Sequence, residues 1–525
     1  MYLKNYKIKE FLTLAGISIY AFYINWISGN TGILPIDSFG FLDTGNSILH
    51  GKLPIRDFWI FTGLVVDYME AFFLLIFGNN WNSHIIHASF MNIFAVLVFY
   101  FFLNEFKIKK SFIVFYCISF ATLCYPVSGT PFAYIHSYIF SLVSIMFLIL
   151  AIKNKNQIIW FIFPFISILS FLSMQTPSAY ILLTLFFILI YYFFTSKDYK
   201  NFKFFIFGCL GSLILFLVFL YFTKTPFTNF IYQYILFPLT IGEGRISSSE
   251  AAYVSFIDQI NLKRLIGDFK FIHFLLFPLI FLTIKSFKKK IKIINLLNIT
   301  VVISVIAFLF NQLLTANQIY IFSLIPIIAA VIQINLKKAE LNPKIIFLII
   351  FIVLFATTKF HFRYNIDRKF HDLENIDKNL AIKANYIHPN LNNLNWITKN
   401  DEPKNEVEFL KIAINQISNE KREITLITHY QFISTVLDKN LNILNRWYLW
   451  DNNTHPTESH KYFEVYKSLI NENIKSNNIK AIYLLGQKNE ISFNNIKNYF
   501  TDLCFKSKTL VEDRFSVHEI VNCKK

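Results

Sequence analysis

The sequence predicts a polytopic α-helical membrane protein with a polar α/β domain at its C-terminal end. Three observations predict it. Of 525 residues, 54% are hydrophobic and 18% aromatic, too apolar for a soluble globule. Apolar stretches near the roughly 20 residues needed to span a bilayer recur along the first two thirds. From Phe360 onward the composition turns abruptly to Asn, Lys, Glu, Asp and His.

Taken in order, eleven spans are expected at about 11–28, 84–103, 111–127, 134–152, 158–174, 177–195, 204–222, 269–285, 293–311, 319–334 and 344–358. The basic start MYLKNYKIKE and an apolar run without a small-residue cleavage site predict an uncleaved signal anchor. The connections Asn104–Lys110, Lys153–Gln157, Ser196–Lys203, Lys285–Lys292 and Gln333–Lys344 all carry Lys and are every second loop. The positive-inside rule places them and the N-terminus in the cytoplasm, and the other loops and the C-terminal domain outside a plasma (inner) membrane. Phe61–Gly78 is apolar but contains Asp67 and Glu70, and counting it as a crossing would put the Lys-rich loops outside. It is therefore expected to lie along the interface, or to dip in and return, as an amphipathic helix.

Two external loops are long, 29–83 and 223–268. The second runs from aromatic to polar and is expected to form a flap, with a flexible turn at Gly242-Glu243-Gly244-Arg245. The membrane module then covers 1–359 and the extracytoplasmic domain 360–525. In that domain Glu406–Asn419 and Tyr462–Asn471 read as helices, and Glu423–Thr428 and Ile479–Leu485 as strands of a short parallel sheet.

Lys and Arg exceed Asp and Glu by 50 to 33, yet the excess lies in short loops, which argues against a nucleic-acid partner. Cys117, Cys124 and Cys209 fall in apolar segments, and only Cys504 and Cys523 stand where an oxidising compartment would let them pair. No C-x-x-C, P-loop, GxGxxG or nucleophile elbow occurs, and His361, His371 and His429 have no ligand spacing, so no metal site is assigned.

Chemistry is expected in Pro35–Gly78, which carries Asp37, Asp43, Arg56, Asp57, Asp67 and Glu70 where the surrounding segments are almost uncharged. Charge near a bilayer is expensive to keep, so either these groups face water or they do work. Asp37, Gly51, Pro54, Arg56, Asp57, Phe58, Phe77 and Gly78 form a pattern in which an Asp precedes G-x-x-P-x-R-D-F and an apolar stretch ending F-G. This pattern resembles the bacterial GT-C-fold glycosyltransferases related to dolichyl-phosphate-mannose protein mannosyltransferases. Where that pattern often has an Arg after F-G, this chain has His84 and His87.

The resemblance implies a GT-C-like membrane module and a first-loop Asp acting as general base, here Asp37. Asp43, six residues on, is the other candidate. An inverting sugar transfer needs a carboxylate to take the acceptor hydroxyl's proton, and positive charge to stabilise the departing lipid phosphate. Arg56, Arg245, Lys263 and Arg264 are the cations available, with His136 as a further donor. Asp57 reads as a helix cap or turn residue, since adjacent side chains rarely pair; Glu243 and Gln175 complete the candidates.

The function expected is transfer of a sugar from a polyprenyl-phosphate carrier to a glycan, lipid or protein acceptor at the outer face of the lipid bilayer. No organic cofactor is expected, and a divalent cation is left open. The alternatives are a transporter or flippase of lipid-linked saccharide, a polymerase using a diphosphate-linked donor, and a non-catalytic membrane scaffold.

Overall fold

The computed structural model describes residues 2–247, 258, 260–288, 292–315, 321–339, 343–488, 490–500 and 503–523. Helices occupy all eleven expected positions: α1 (Tyr2–Gly29), α4 (Trp81–Glu105), α5 (Lys110–Leu123), α6 (Ala133–Asn154), α7 (Gln157–Ser173), α8 (Gln175–Ser196), α9 (Tyr199–Phe222), α11 (Lys270–Lys288), α12 (Lys292–Leu314), α13 (Leu324–Ala339) and α14 (Pro343–Phe360). Among the described residues, eight segments are long and apolar enough to cross a membrane, and α7 and most of α13 are shorter apolar helices. The first residues of the stretch expected at 319 lie outside the described residues. Phe187 on α8, Phe222 on α9, Phe277 on α11 and Phe351 on α14 stand more than half exposed on the outside of the bundle. A soluble surface does not tolerate so many exposed aromatic side chains, and a lipid-facing one favours them.

The two ends of the bundle differ. At one end the Lys-rich connections meet, with Lys153 bonded to Glu105, Lys110 to Glu10, and Lys337 to the Lys107 carbonyl. At the other end two helices fill the first long loop: α2 (Pro35–Leu49) and α3 (Leu64–Phe77). The helix expected at 61–78 is α3, whereas α2 was not anticipated. Its apolar residues follow no single-face period because it is covered on nearly every side. Gly45 lets α3 approach so closely that a Cβ there would sit 2.6 Å from Glu70 Cγ, and a Cβ on Gly40 would sit 2.8 Å from Trp447 Nε1.

The expected turn at 242–245 is not a turn. Phe227–Phe230, a π-helical run Ile231–Leu236 and α10 (Phe237–Ser247) form one continuous helical segment that carries both glycines. The rest of that loop up to residue 257 lies outside the described residues.

Beyond Phe360 the chain builds a pair of two-residue strands, β1 (Ile382–Lys383) and β2 (Asn395–Trp396), then α15 (Pro403–Ser418), β3 (Ile424–Thr428), α16 (Ile433–Val436), α17 (Phe463–Ser476), β4 (Ala481–Leu485), β5 (Cys504–Val511) and β6 (Phe515–Val521). The two expected helices and two expected strands are present, and β3 pairs with β4 in parallel. The sheet is mixed rather than wholly parallel, because the unanticipated hairpin β5–β6 adds antiparallel strands in the order β3-β4-β6-β5. Cys504 and Cys523 form a disulfide across the open end of that hairpin.

This region is fused to the membrane module rather than tethered to it. Gly32 and Ile33 donate backbone hydrogen bonds to Asn395 and Ile397, and Trp59 donates to Leu444. The fully buried Arg368 donates to the carbonyls of Thr31, Pro126 and Ser128. One hydrophobic core joins Phe39 and Leu42 of α2 and Trp81 of α4 to Trp396, Leu410 and Leu426.

A disulfide closing a short loop is worth roughly 2–4 kcal/mol. Replacing both Cys504 and Cys523 by Ser is expected to expose the β5–β6 hairpin to limited proteolysis at temperatures where the native chain resists, while the membrane helices stay protected.

Candidate functional site

The carboxylates of the first loop do not face water: Asp43 is 3% exposed, and Asp67 and Glu70 are wholly buried. Each is matched by a partner. Asp43 on α2 accepts a hydrogen bond from Ser434 of α16, and burial pushes its carboxyl up to about 7 against that bond. Asp67 on α3 is ion-paired with Arg446 of the C-terminal region and accepts from Thr44 of α2. Arg446 also donates to the Thr62 carbonyl and lies 4.4 Å from the Phe41 ring centroid, a cation–π contact. Glu70 takes one oxygen to His84 Nδ1 and the other to His87 Nδ1, each at 2.7 Å.

Asp37 is the exception. It sits in the first turn of α2, half-buried, and its carboxylate accepts no hydrogen bond among the described residues. It lines a cavity of about 390 Å³. The walls come from the start of α2, from Phe61 and Thr62 before α3, from Phe132 to Tyr134 at the start of α6, and from Met174 between α7 and α8. Arg245 of α10, Leu314 and Thr315 at the end of α12, and Trp447, Leu449, Asn453 and Thr454 of the C-terminal region close it. All six loops that the Lys pattern assigns to one side of the membrane therefore contribute to this single cavity.

Burial pushes the Asp37 carboxyl up to about 6, moderated by the His429 side chain and reinforced by Asp372. A carboxyl in that range is a competent proton acceptor near neutrality. Among the described residues it is the only carboxylate lining the cavity, and Arg245 is the only cation lining it. Thr62, Asn453 and Thr454 offer neutral hydrogen-bonding groups, and Trp447 and Phe61 offer aromatic surface. Such a mixture suits a ligand with hydroxyl groups and one negative charge.

The other candidates lie elsewhere. Arg56 donates to its neighbour Asp57, to the Thr223 carbonyl at 3.0 Å and to the Gly51 carbonyl at 2.9 Å, which ties the two long loops together. The expectation that adjacent side chains do not pair fails here: Asp57 holds Arg56 and also accepts from the Leu53 amide. The positive φ of Ile55 bends the chain back in this turn. Lys263 and Arg264 fall on a π-helical segment, Lys263–Asp268, that does not line the cavity. Glu243 is exposed on α10, and Gln175 donates to the carbonyls of Phe61 and Tyr234 at 2.8 and 2.7 Å, bracing the cavity from behind.

His136 is fully buried with both ring nitrogens engaged, Nε2 with His87 at 3.0 Å and Nδ1 with the Tyr125 hydroxyl at 2.9 Å, so it faces no ligand. Arg446, Trp447, Asn453 and Thr454 were not anticipated. The adjacent Arg-Trp in a polar domain is the one cue the sequence held. No group of His, Cys, Asp and Glu among the described residues is arranged to hold a metal ion. Compared with known proteins, the chain matches no family and no curated relative.

Removing one partner of a buried ion pair costs about 3–5 kcal/mol. Arg446→Met is expected to lower the melting temperature of the purified chain sharply, and Asp67→Leu added to it is expected to recover most of the loss.

Asp37 itself opposes folding. A carboxyl raised from the unfolded value of 3.8 to about 6 contributes stability that is complete below pH 3.8 and lost as pH rises through 6. Melting temperatures measured across that window are expected to descend more steeply for the native chain than for Asp37→Asn, which should be the more stable by up to roughly 3 kcal/mol at neutral pH.

Proposed function

We propose that the protein is an inverting glycosyltransferase that moves a sugar from a polyprenyl-phosphate carrier to an acceptor hydroxyl at the outer face of a plasma membrane. The observation that carries this reading is Asp37, a hydrogen-bond-free carboxylate with a raised pKa, sharing a cavity with Arg245 at one end of an apolar bundle. The resemblance of the first loop to GT-C glycosyltransferases points the same way. A cavity at the bundle mouth admits a donor whose lipid stays in the bilayer while its headgroup enters.

In this mechanism Asp37 accepts the proton of the acceptor hydroxyl as its oxygen attacks the anomeric carbon. The bond from that carbon to the phosphate oxygen breaks with inversion, and Arg245 stabilises the negative charge that develops on the phosphate. Trp447 and Phe61 present apolar faces to a sugar ring, and Thr62, Asn453 and Thr454 present hydrogen-bonding groups to its hydroxyls. Asp43 plays no part in the chemistry, being held by Ser434 away from the cavity.

Transfer of labelled sugar from a panel of polyprenyl-phosphate donors tests the reading. Asp37→Asn is expected to lower the rate by about a hundredfold or more, with little effect from Glu243→Gln. The native kcat/KM should rise with pH and level off above about 6, following the Asp37 carboxyl. Absence of transfer from every donor, or full activity in Asp37→Asn, would sink it.

A further inference from the structure

Beneath α2 lies a chain of buried groups that the proposed chemistry does not use. His84 Nε2 meets the Ser38 carbonyl at 2.9 Å, and its Nδ1 meets Glu70 at 2.7 Å. The other Glu70 oxygen meets His87 Nδ1 at 2.7 Å, His87 Nε2 meets His136 Nε2 at 3.0 Å, and His136 Nδ1 meets the Tyr125 hydroxyl at 2.9 Å. Tyr125 accepts from the Phe132 amide at 3.1 Å, at the cavity wall. Glu70 and the three histidines are wholly buried.

The proton inventory of this chain is constrained. A carbonyl only accepts, so His84 Nε2 carries a hydrogen, and His84 Nδ1 shares a second hydrogen with Glu70. Imidazolium with carboxylate and imidazole with carboxylic acid hold the same protons, and both are neutral overall. On the far side His87 Nε2 and His136 Nε2 share one hydrogen, and His136 Nδ1 faces both the Tyr125 hydroxyl at 2.9 Å and the Phe132 carbonyl at 3.1 Å. Each Glu70 oxygen thus has a histidine nitrogen beside it.

We propose that the Glu70–His84 pair is a positioning device for Asp37: His84 pins the Ser38 carbonyl and with it the helical turn that aims the Asp37 carboxylate into the cavity. The proposal rests on the reading of Asp37 as the base. Leu34, the residue before α2, has no side chain able to cap the helix, and the Ser38 hydroxyl accepts from the Leu34 amide instead. Ser38 is therefore held through both its hydroxyl and its carbonyl, one residue from Asp37, and only the carbonyl contact reaches the bundle. His87, His136 and Tyr125 serve to keep Glu70 oriented toward His84.

The test uses the full chain in lipid nanodiscs, with His84→Leu and His84→Gln, whose amide can still donate to the Ser38 carbonyl. Two readouts are taken: donor KM and kcat, and the rate at which a carbodiimide with an amine labels Asp37, followed by mass spectrometry. Displacing a reacting group by about 1 Å costs on the order of a hundredfold, so His84→Leu is expected to lower kcat by ten- to a hundredfold with donor KM nearly unchanged. Asp37 labelling should shift several-fold, and His84→Gln should restore both. Native kcat and labelling in His84→Leu, or equal loss of kcat and KM in both variants, would overturn the proposal. If His84→Leu does not accumulate, Glu70→Gln takes its place, and unchanged Asp37 labelling in that variant overturns it equally. Native transfer by Asp37→Asn would defeat the reading of the base, while the labelling comparison would still decide the role of His84.

Discussion

The structure depends on the removal of three carboxylates, Asp43, Asp67 and Glu70, from water inside the helical pair α2–α3. An ionised group buried without a partner is untenable, so each of these residues dictates what packs against it. Asp67 requires Arg446, Asp43 requires Ser434, and Glu70 requires His84 and His87. Two of those partners come from the region beyond residue 360 and two from the first turns of α4. The first loop is therefore the joint between membrane helices and C-terminal region, and neither side is complete without the other.

The contrast with Asp37 follows from the same physics. Three of the four acidic residues on α2 and α3 have matched donors, and the fourth stands beside an open cavity with none. A protein able to satisfy three buried carboxylates on these two helices does not leave a fourth unsatisfied for want of donors. Leaving Asp37 bare raises its proton affinity and sacrifices stability, the usual signature of a group kept for chemistry.

Much of the helical architecture was legible because hydropathy and Lys placement report on the bilayer, a uniform solvent acting on every span alike. The helix α3 was legible for the same reason, being apolar but too charged to cross. By contrast α2 was not, since burial on every side erases the period that marks an amphipathic helix. The polar hairpin β5–β6 was hidden because Lys506, Ser507, Lys508 and Thr509 are all exposed, leaving no alternation to detect. At the site, Asp37 and Arg245 were legible as charges in loops facing one side. Which loops converge is a tertiary fact, and so Trp447, Asn453 and Thr454, about 400 residues from Asp37 in the chain, carried no local signal of sharing its cavity.

His84 and His87 illustrate the limit from the other direction. As sequence they occupy the opening turn of a spanning helix, where charge is costly and a transported ion or proton is the usual explanation. The structure gathers them at one end of the bundle, where both are consumed by Glu70. A path for an ion would need such groups at several depths, whereas these form a closed set reaching from the Ser38 carbonyl to the Tyr125 hydroxyl. Their polarity is directed at the backbone of α2, and α2 has one free carboxylate to present. The chain of histidines is thus better understood as scaffolding for a site than as a conduit through the membrane.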